Sequence, residues 1–309
     1  MAAVPRTMGA IRLHTPGIEG LQLETIETPS PRLGEALVEV HAAAITRDEL
    51  EWPLDRLPAV PSYELSGVVA AVADDVTAVS VGDEVFGLMP FERNGVAAQY
   101  TAVPAAVLAR KPSTLSHVES AAVPLPGLSA WQGLFNHGGL EPGERVLIHG
   151  AVGGVGQFAT QLARWRGAHV LATSSPQAFE MARALGAHDV FDGRRGLDEV
   201  GHVDLIFDTV GGELLELAPT LLANDGRLVS VAEEPPGEGT YFVVEPHREQ
   251  LIELARLVDG GELRVAIDST FALSEAAAAF ERTLASGKRG KVVIRIAGEG
   301  ASGAAGGNG

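Results

Sequence analysis

Short apolar stretches broken by turn residues fill the first third of the chain. Ala36-Leu-Val-Glu-Val-His-Ala-Ala43 alternates, Gly67–Val72 follows, Asp83–Phe86 comes after the turn Val81-Gly82, and Val96–Val103 closes the series. Short strands with close turn signals predict a compact all-β unit. The period changes near residue 125. Arg145–His149 is a short apolar strand, and Gly150–Gly156 is a glycine loop. Val155, Phe158, Ala159, Leu162 and Ala163 then recur at three and four residues, one face of a helix, with Gly167 placed to end it. His169–Ala172, Val203–Phe207 and Gly226–Ser230 read as further strands, and Gln177–Leu185 as a helix closed by Gly186. Helices are expected over His247–Val258 and Glu275–Ser286, the second with Ser274 as N-cap. Lys291–Ile296 reads as a closing strand. Strands alternating with helices predict an α/β fold, a doubly wound parallel sheet covered on both faces. Residues 298–309, rich in Gly and Ala, are expected to be a disordered tail.

Composition narrows the function. A length of 309 residues suggests two domains, and 46% hydrophobic residues supply a sizeable core. Acidic residues outnumber basic ones 40 to 23, a net charge of −17. Such a surface disfavours nucleic acid and anionic membranes as partners. The absence of cysteine excludes disulfides, thiolate nucleophiles and cysteine-held metals. Neither a leader peptide nor a membrane span is read from the chain, and a cytoplasmic location is expected.

The glycine loop carries the most information. It lies between a strand and an amphipathic helix, with Ala151 at the first position of the G-x-G-x-x-G pattern. Gly153 lets backbone approach a pyrophosphate, and Gly156 lets the helix pack closely. A glycine-rich turn without a ligand is the plain alternative. At the end of the next strand, where an NAD site places an acid for the ribose, the chain reads Thr173-Ser-Ser-Pro176. Ser174 and Ser175 suit a 2′-phosphate, which favours NADPH, unless they merely begin the loop.

Several segments occur in a familiar order: Pro61-Ser-Tyr-Glu-Leu-Ser-Gly-Val-Val69, Val81–Phe86, Ala121–Trp131, Val146–Gly156, Phe207-Asp-Thr-Val-Gly-Gly212 and Arg289-Gly-Lys-Val-Val293. Together they resemble the medium-chain dehydrogenase/reductase superfamily, in its zinc-independent quinone-oxidoreductase branch, over residues 8–297. The resemblance implies a GroES-like β-barrel catalytic domain (1–125), a Rossmann cofactor domain (126–260) and a return to the barrel (261–297). It also implies NADPH-dependent hydride transfer to a small-molecule quinone or another α,β-unsaturated carbonyl, by a homodimer. Zinc-dependent relatives carry a cysteine and a Gly-His-Glu where this chain has Thr46 and Ser62-Tyr63-Glu64, so no metal is expected.

By the same resemblance Tyr63 and Thr46 occupy the cleft and are the candidate hydroxyl donors. Tyr63 as a packed aromatic and Thr46 as a turn cap or nicotinamide orienter are the alternatives. Asp48 and Glu49 read as a solvated loop rather than an acid–base pair. Cofactor contacts are assigned to Ser129, to Ala151, Gly153, Gly154, Val155 and Gly156 of the loop, to Ser174 and Ser175, to Thr209 and Val210, to Val231, and to Phe242 and Val243. Lys291 is assigned to a cofactor phosphate, a surface lysine being the alternative. The lysine and tyrosine that many relatives use for the 2′-phosphate are replaced by Ala178 and Gly193. Two other functions remain open: an enoyl-thioester reductase, and an NADPH-binding sensor or structural protein with little catalysis.

Overall fold

The computed structural model describes residues 3–297 except 194 and 196; the expected tail lies outside the described residues. The first unit contains β1 (Thr7–Leu13), β2 (Leu21–Glu27), β3 (Glu35–Ile45), β4 (Glu64–Val72), β5 (Glu84–Leu88), β6 (Tyr100–Pro104) and β7 (Leu108–Arg110). Two short helices follow, α1 (His117–Ala121) and α2 (Pro124–Trp131). Then come β8 (Arg145–Ile148), α3 (Gly154–Arg166), β9 (His169–Ser174), α4 (Phe179–Ala184), β10 (Asp189–Asp192) and β11 (Val203–Asp208). The chain continues through α5 (Glu213–Leu217), β12 (Leu222–Ser230), β13 (Thr240–Tyr241) and α6 (Arg248–Asp259). It ends in β14 (Ile267–Ala272), α7 (Ala276–Leu284) and β15 (Lys291–Arg295).

β8 to β13 form one parallel sheet in the order β10-β9-β8-β11-β12-β13. Strand order reverses beside β8, so the carboxyl ends of β8 and β11 open a crevice there, where dinucleotides bind in sheets of this kind. β8 is buried at every residue after Arg145, as a central parallel strand must be. The other large sheet runs β14-β15-β3-β4-β5-β7, with β6 also on β3. β3 is its spine: nine of its eleven residues are buried, so it is apolar or small along nearly its whole length.

The closing strand β15 returns to the first unit and lies antiparallel on β3, with Val292 opposite Ile45 and Val293 opposite Ala44. That register carries Lys291 to the end of β3, beside Thr46. The expected boundary at 125/126 falls inside α2, whose residues pack against both α3 and α6. One local expectation is corrected. Ser274 is not an N-cap, because the helix starts one turn earlier with a 3-10 turn, Leu273–Glu275. There the Glu275 carboxylate accepts the Ala272 N–H at 2.8 Å.

Candidate active site

The glycine loop is held from beneath. Gly150 has φ +76 and makes the reversal out of β8, so the left-handed residue is Gly150, ahead of the Ala151 position assigned from the pattern. Gly150 N–H donates to Thr173 Oγ1 (3.1 Å) and Ala151 N–H to the Thr173 carbonyl (3.0 Å). Thr209 Oγ1 donates to the His149 carbonyl at 2.7 Å. A Cβ on Gly156 would stand 2.0 Å from the Gly150 carbonyl oxygen, so only glycine lets α3 start this close under the loop. Gly153 caps α3 with no side-chain bond to the first helical N–H groups. Those donors and the helix dipole form the cradle that a diphosphate fits. Val155 lies half-buried on the first turn.

The other strand ends converge on the same crevice. Asp208 is fully buried and is spent on structure: it accepts from His149 Nδ1 (2.9 Å), Ser230 Oγ (2.9 Å) and Gly211 N–H (3.0 Å). Beyond it Val210 is exposed, and Val231 follows Ser230 half-buried. Phe242 is buried with its ring stacked on His137 at 4.4 Å, which leaves Val243 exposed. Ser129 is buried within α2. Ser174 is nearly buried and donates to the Ser175 carbonyl at 3.2 Å, while Ser175 is exposed. Register places Asp192 beside Ser174, an acid from the neighbouring strand that the reading along β9 missed. Arg289, also missed, reaches the same loop by donating to the Gln177 carbonyl at 2.8 Å.

Facing the loop is a cluster of ionisable groups. Lys291 is neither a surface lysine nor free: it is buried, and its ammonium lies 2.5 Å from Glu64 Oε1 and 3.1 Å from Thr46 Oγ1. Its stem crosses Gly154, where a Cβ would meet Lys291 Cδ at 3.1 Å. Lys291 therefore ties the glycine loop to the end of β3. Glu64 is fully buried; it also accepts the Leu125 N–H at 3.1 Å, at the start of α2, and the Thr46 hydroxyl at 3.4 Å. Burial pushes the Glu64 carboxyl up, while Lys291, the Leu125 N–H and Thr46 pull it back.

Glu49 corrects the expectation of a solvated loop. Arg47 and Asp48 are exposed, but Glu49 is buried between them and Leu50. Its Oε2 accepts the Thr46 N–H at 2.9 Å, and its Oε1 has no partner. Burial, with the nearby Glu64 and Asp48 charges, pushes its carboxyl up to about 8 against the pull of Thr46 N–H and Lys291. A break in the polarity pattern was the available signal: Glu49 precedes buried Leu50, in a turn whose backbone folds back on itself.

Tyr63 completes this side. Ser62 takes φ +67, a left-handed conformation costing about 1–3 kcal/mol in a non-glycine residue. It is held by its hydroxyl on the Ala44 carbonyl at 2.7 Å. The turn leaves Tyr63 packed with Trp52 and Phe91, ring centroids 5.4 Å from each. Arg56 donates to Tyr63 Oη at 3.2 Å and to the Phe91 carbonyl, so the phenol accepts one bond and keeps its own proton to donate. Burial pushes its phenol up.

The donor set does not suit zinc. Hydroxyls stand at Thr46, Ser62 and Tyr63, Glu64 is committed to Lys291, and thiolate or imidazole ligands are lacking there. Among the described residues no three His, Cys, Asp or Glu side chains group to hold a metal ion.

Comparison with known proteins agrees with this architecture. The pattern of the alcohol dehydrogenase GroES-like domain matches residues 32–113, and that of the zinc-binding dehydrogenases residues 185–294. A probable zinc-binding mitochondrial oxidoreductase of Arthroderma benhamiae is 30% identical, over 96% of this chain and 99% of its own. A 2-methylene-furan-3-one reductase of Solanum lycopersicum is 31% identical, over 90% of this chain and 76% of its own. The quinone oxidoreductase of Coxiella burnetii superposes with a TM-score of 0.88 at 29% identity, over 94% of this chain and 100% of its own. Fold, glycine loop and relatives define an oxidoreductase of the nicotinamide-dependent kind. The chain belongs to the medium-chain dehydrogenase/reductase superfamily.

Proposed function

We propose that this protein is a zinc-independent reductase that uses NADPH to reduce a quinone or another α,β-unsaturated carbonyl. The observation that carries the reading is the half-buried Thr46 hydroxyl, backed by the buried Lys291 ammonium, across from an uncapped glycine loop. NADPH, when bound, supplies a hydride to the acceptor's β-carbon. Negative charge then gathers on the acceptor's carbonyl oxygen. A hydroxyl that already accepts a bond from an ammonium is a strengthened donor, and Thr46 turns its O–H from the long 3.4 Å bond to Glu64 to donate a hydrogen bond to that oxygen. Tyr63, fully buried against Trp52 and Phe91, packs behind that side. The Gly153–Gly156 N–H groups hold the diphosphate. Ser129, Thr209, Val210, Val231, Phe242 and Val243 border the nicotinamide half.

NADPH over NADH rests on the serine pair at the end of β9 and on Arg289 bound to the following loop. The acceptor class is supported by the names of the tomato and Coxiella relatives. A homodimer belongs to the same reading: β13 leaves a short sheet edge with Tyr241 and Val243 exposed, and light scattering tests it. No described helix is long and apolar enough to cross a membrane; a cytoplasmic setting remains part of the proposal.

The deciding experiment measures initial rates of NADPH and NADH oxidation with an ortho-quinone, an enone and an enoyl-thioester. Turnover of quinone or enone with NADPH supports the reading. Preference for the thioester selects an enoyl reductase, and tight NADPH binding without turnover selects a sensor.

A further inference from the structure

Two carboxyls and one ammonium share the buried volume at the end of β3. Glu64 takes Lys291 at 2.5 Å and adds the Leu125 N–H and the Thr46 hydroxyl. Glu49 receives one donor, the Thr46 N–H, on Oε2. Its Oε1 is buried without a partner. The charged groups around it are Lys291 from β15, Glu64 from β4 and Asp48 from its own turn. Beyond Glu49 stands Tyr63, with Arg56 on its hydroxyl. The one ammonium in the cluster is thus already committed to the other carboxyl. A carboxylate buried with a single hydrogen bond is costly, and the protonated acid, which carries no charge, costs much less. Since Oε2 accepts from Thr46, the proton belongs on Oε1.

We propose that Glu49 is a positioning residue of this site that works as the neutral acid, and that its ionisation disables Thr46. As the acid it clamps the Thr46 backbone and adds no charge. Lys291 then serves Glu64 and the Thr46 hydroxyl together. As a carboxylate it would place a second negative charge within the influence of Lys291, compete with Glu64 for that ammonium, and draw it from the Thr46 hydroxyl. The hydroxyl would lose the cation that strengthens it as a donor. Burial and the neighbouring carboxylates push the Glu49 ionisation into the mildly alkaline range, so the site is expected to weaken there. The kinetic arm of this inference rests on the reductase reading above; the spectroscopic arm does not.

The spectroscopic arm is infrared difference spectroscopy of the cofactor-free protein across a pH titration. The expected result is a protonated-carboxyl carbonyl band at neutral pH that fades on alkalinisation and is missing from Glu49→Gln. A band that vanishes in Glu64→Gln and survives in Glu49→Gln overturns the proposal, as does the lack of any such band at neutral pH. In the kinetic arm, wild-type kcat should fall about tenfold per pH unit above the ionisation. Glu49→Gln, uncharged and of the same shape, should give a flat alkaline limb whatever its absolute rate. Asp48→Asn, at the exposed neighbouring acid, should keep an alkaline fall of the same slope, moved to slightly lower pH by loss of the Asp48 charge. The same alkaline fall in Glu49→Gln overturns the proposal. If no acceptor is reduced by any variant, the reductase reading fails, and the infrared titration still decides the state of Glu49.

Discussion

The glycine loop at the start of α3 and the cluster around Glu64 lie on either side of one side chain, Lys291, and are made of opposite materials. The loop is backbone: N–H donors, a left-handed Gly150 and a Gly156 that admits no Cβ. The cluster is side chain: two buried carboxyls, an ammonium and a threonine hydroxyl. A backbone cradle has no titratable group and fails by steric contact. A cluster of buried ionisable groups tolerates small changes of shape and fails by charge imbalance. Cofactor binding should therefore respond to volume, and the reducing step to charge and pH.

The largest expected effect probes charge. Lys291→Ala strands the Glu64 carboxylate without its cation, and loss of one partner of a buried pair costs about 3–5 kcal/mol. Denaturant unfolding should register that loss, and the double variant Glu64→Gln/Lys291→Met should recover most of it. A Lys291→Ala protein as stable as wild type would break the comparison. Next, Thr46→Val keeps the shape and removes the hydroxyl. Its kcat should drop roughly 100-fold with little change in NADPH affinity, the scale of losing one oxyanion donor. Steric sensitivity is tested by Gly156→Ala. The added methyl meets the Gly150 carbonyl, and NADPH affinity, read by fluorescence titration, should weaken by about 2 kcal/mol, or roughly 30-fold. Arg289→Ala should weaken NADPH about tenfold and leave NADH unchanged, for one charge-assisted contact.

The last test is a pH dependence of stability. Glu49 ionises near 4.5 when free and near 8 in the fold. Between those values the folded state holds a proton that the unfolded chain has released. Stability from this group is therefore full below pH 4.5 and declines as pH rises towards about 8. Thermal melts of wild type against Glu49→Gln should diverge over that window, with the variant relatively more stable at the alkaline end. Parallel curves would remove Glu49 as the source.

Which parts could be read in advance follows the same division. Glycine spacing, a 3.6-residue period and short apolar strands are local signals, and they located β8, the loop, α3 and the strand that follows. Boundaries moved where tertiary contacts intervened: Glu275 bonds back to Ala272, so its helix begins ahead of Ser274. Thr46 and Tyr63 were visible as candidates through the resemblance. Their surroundings were not, because Trp52, Arg56 and Phe91 converge on Tyr63 from different turns. Lys291 looked like a residue near a phosphate or on the surface, since nothing near it in the chain shows its partner.

The sequence by itself determined the two kinds of sheet, the glycine loop and its helix, and the family to which the chain belongs. Each of these depends on residues close together in the chain or on their order. Only the tertiary structure decided that Lys291 meets Glu64 and Thr46, residues 227 and 245 positions away, and that Glu49 is buried and short of partners. The register of β15 on β3 makes that meeting. Protonation and hydrogen-bond strength depend on burial and on neighbouring charge, and both are properties of the assembled site.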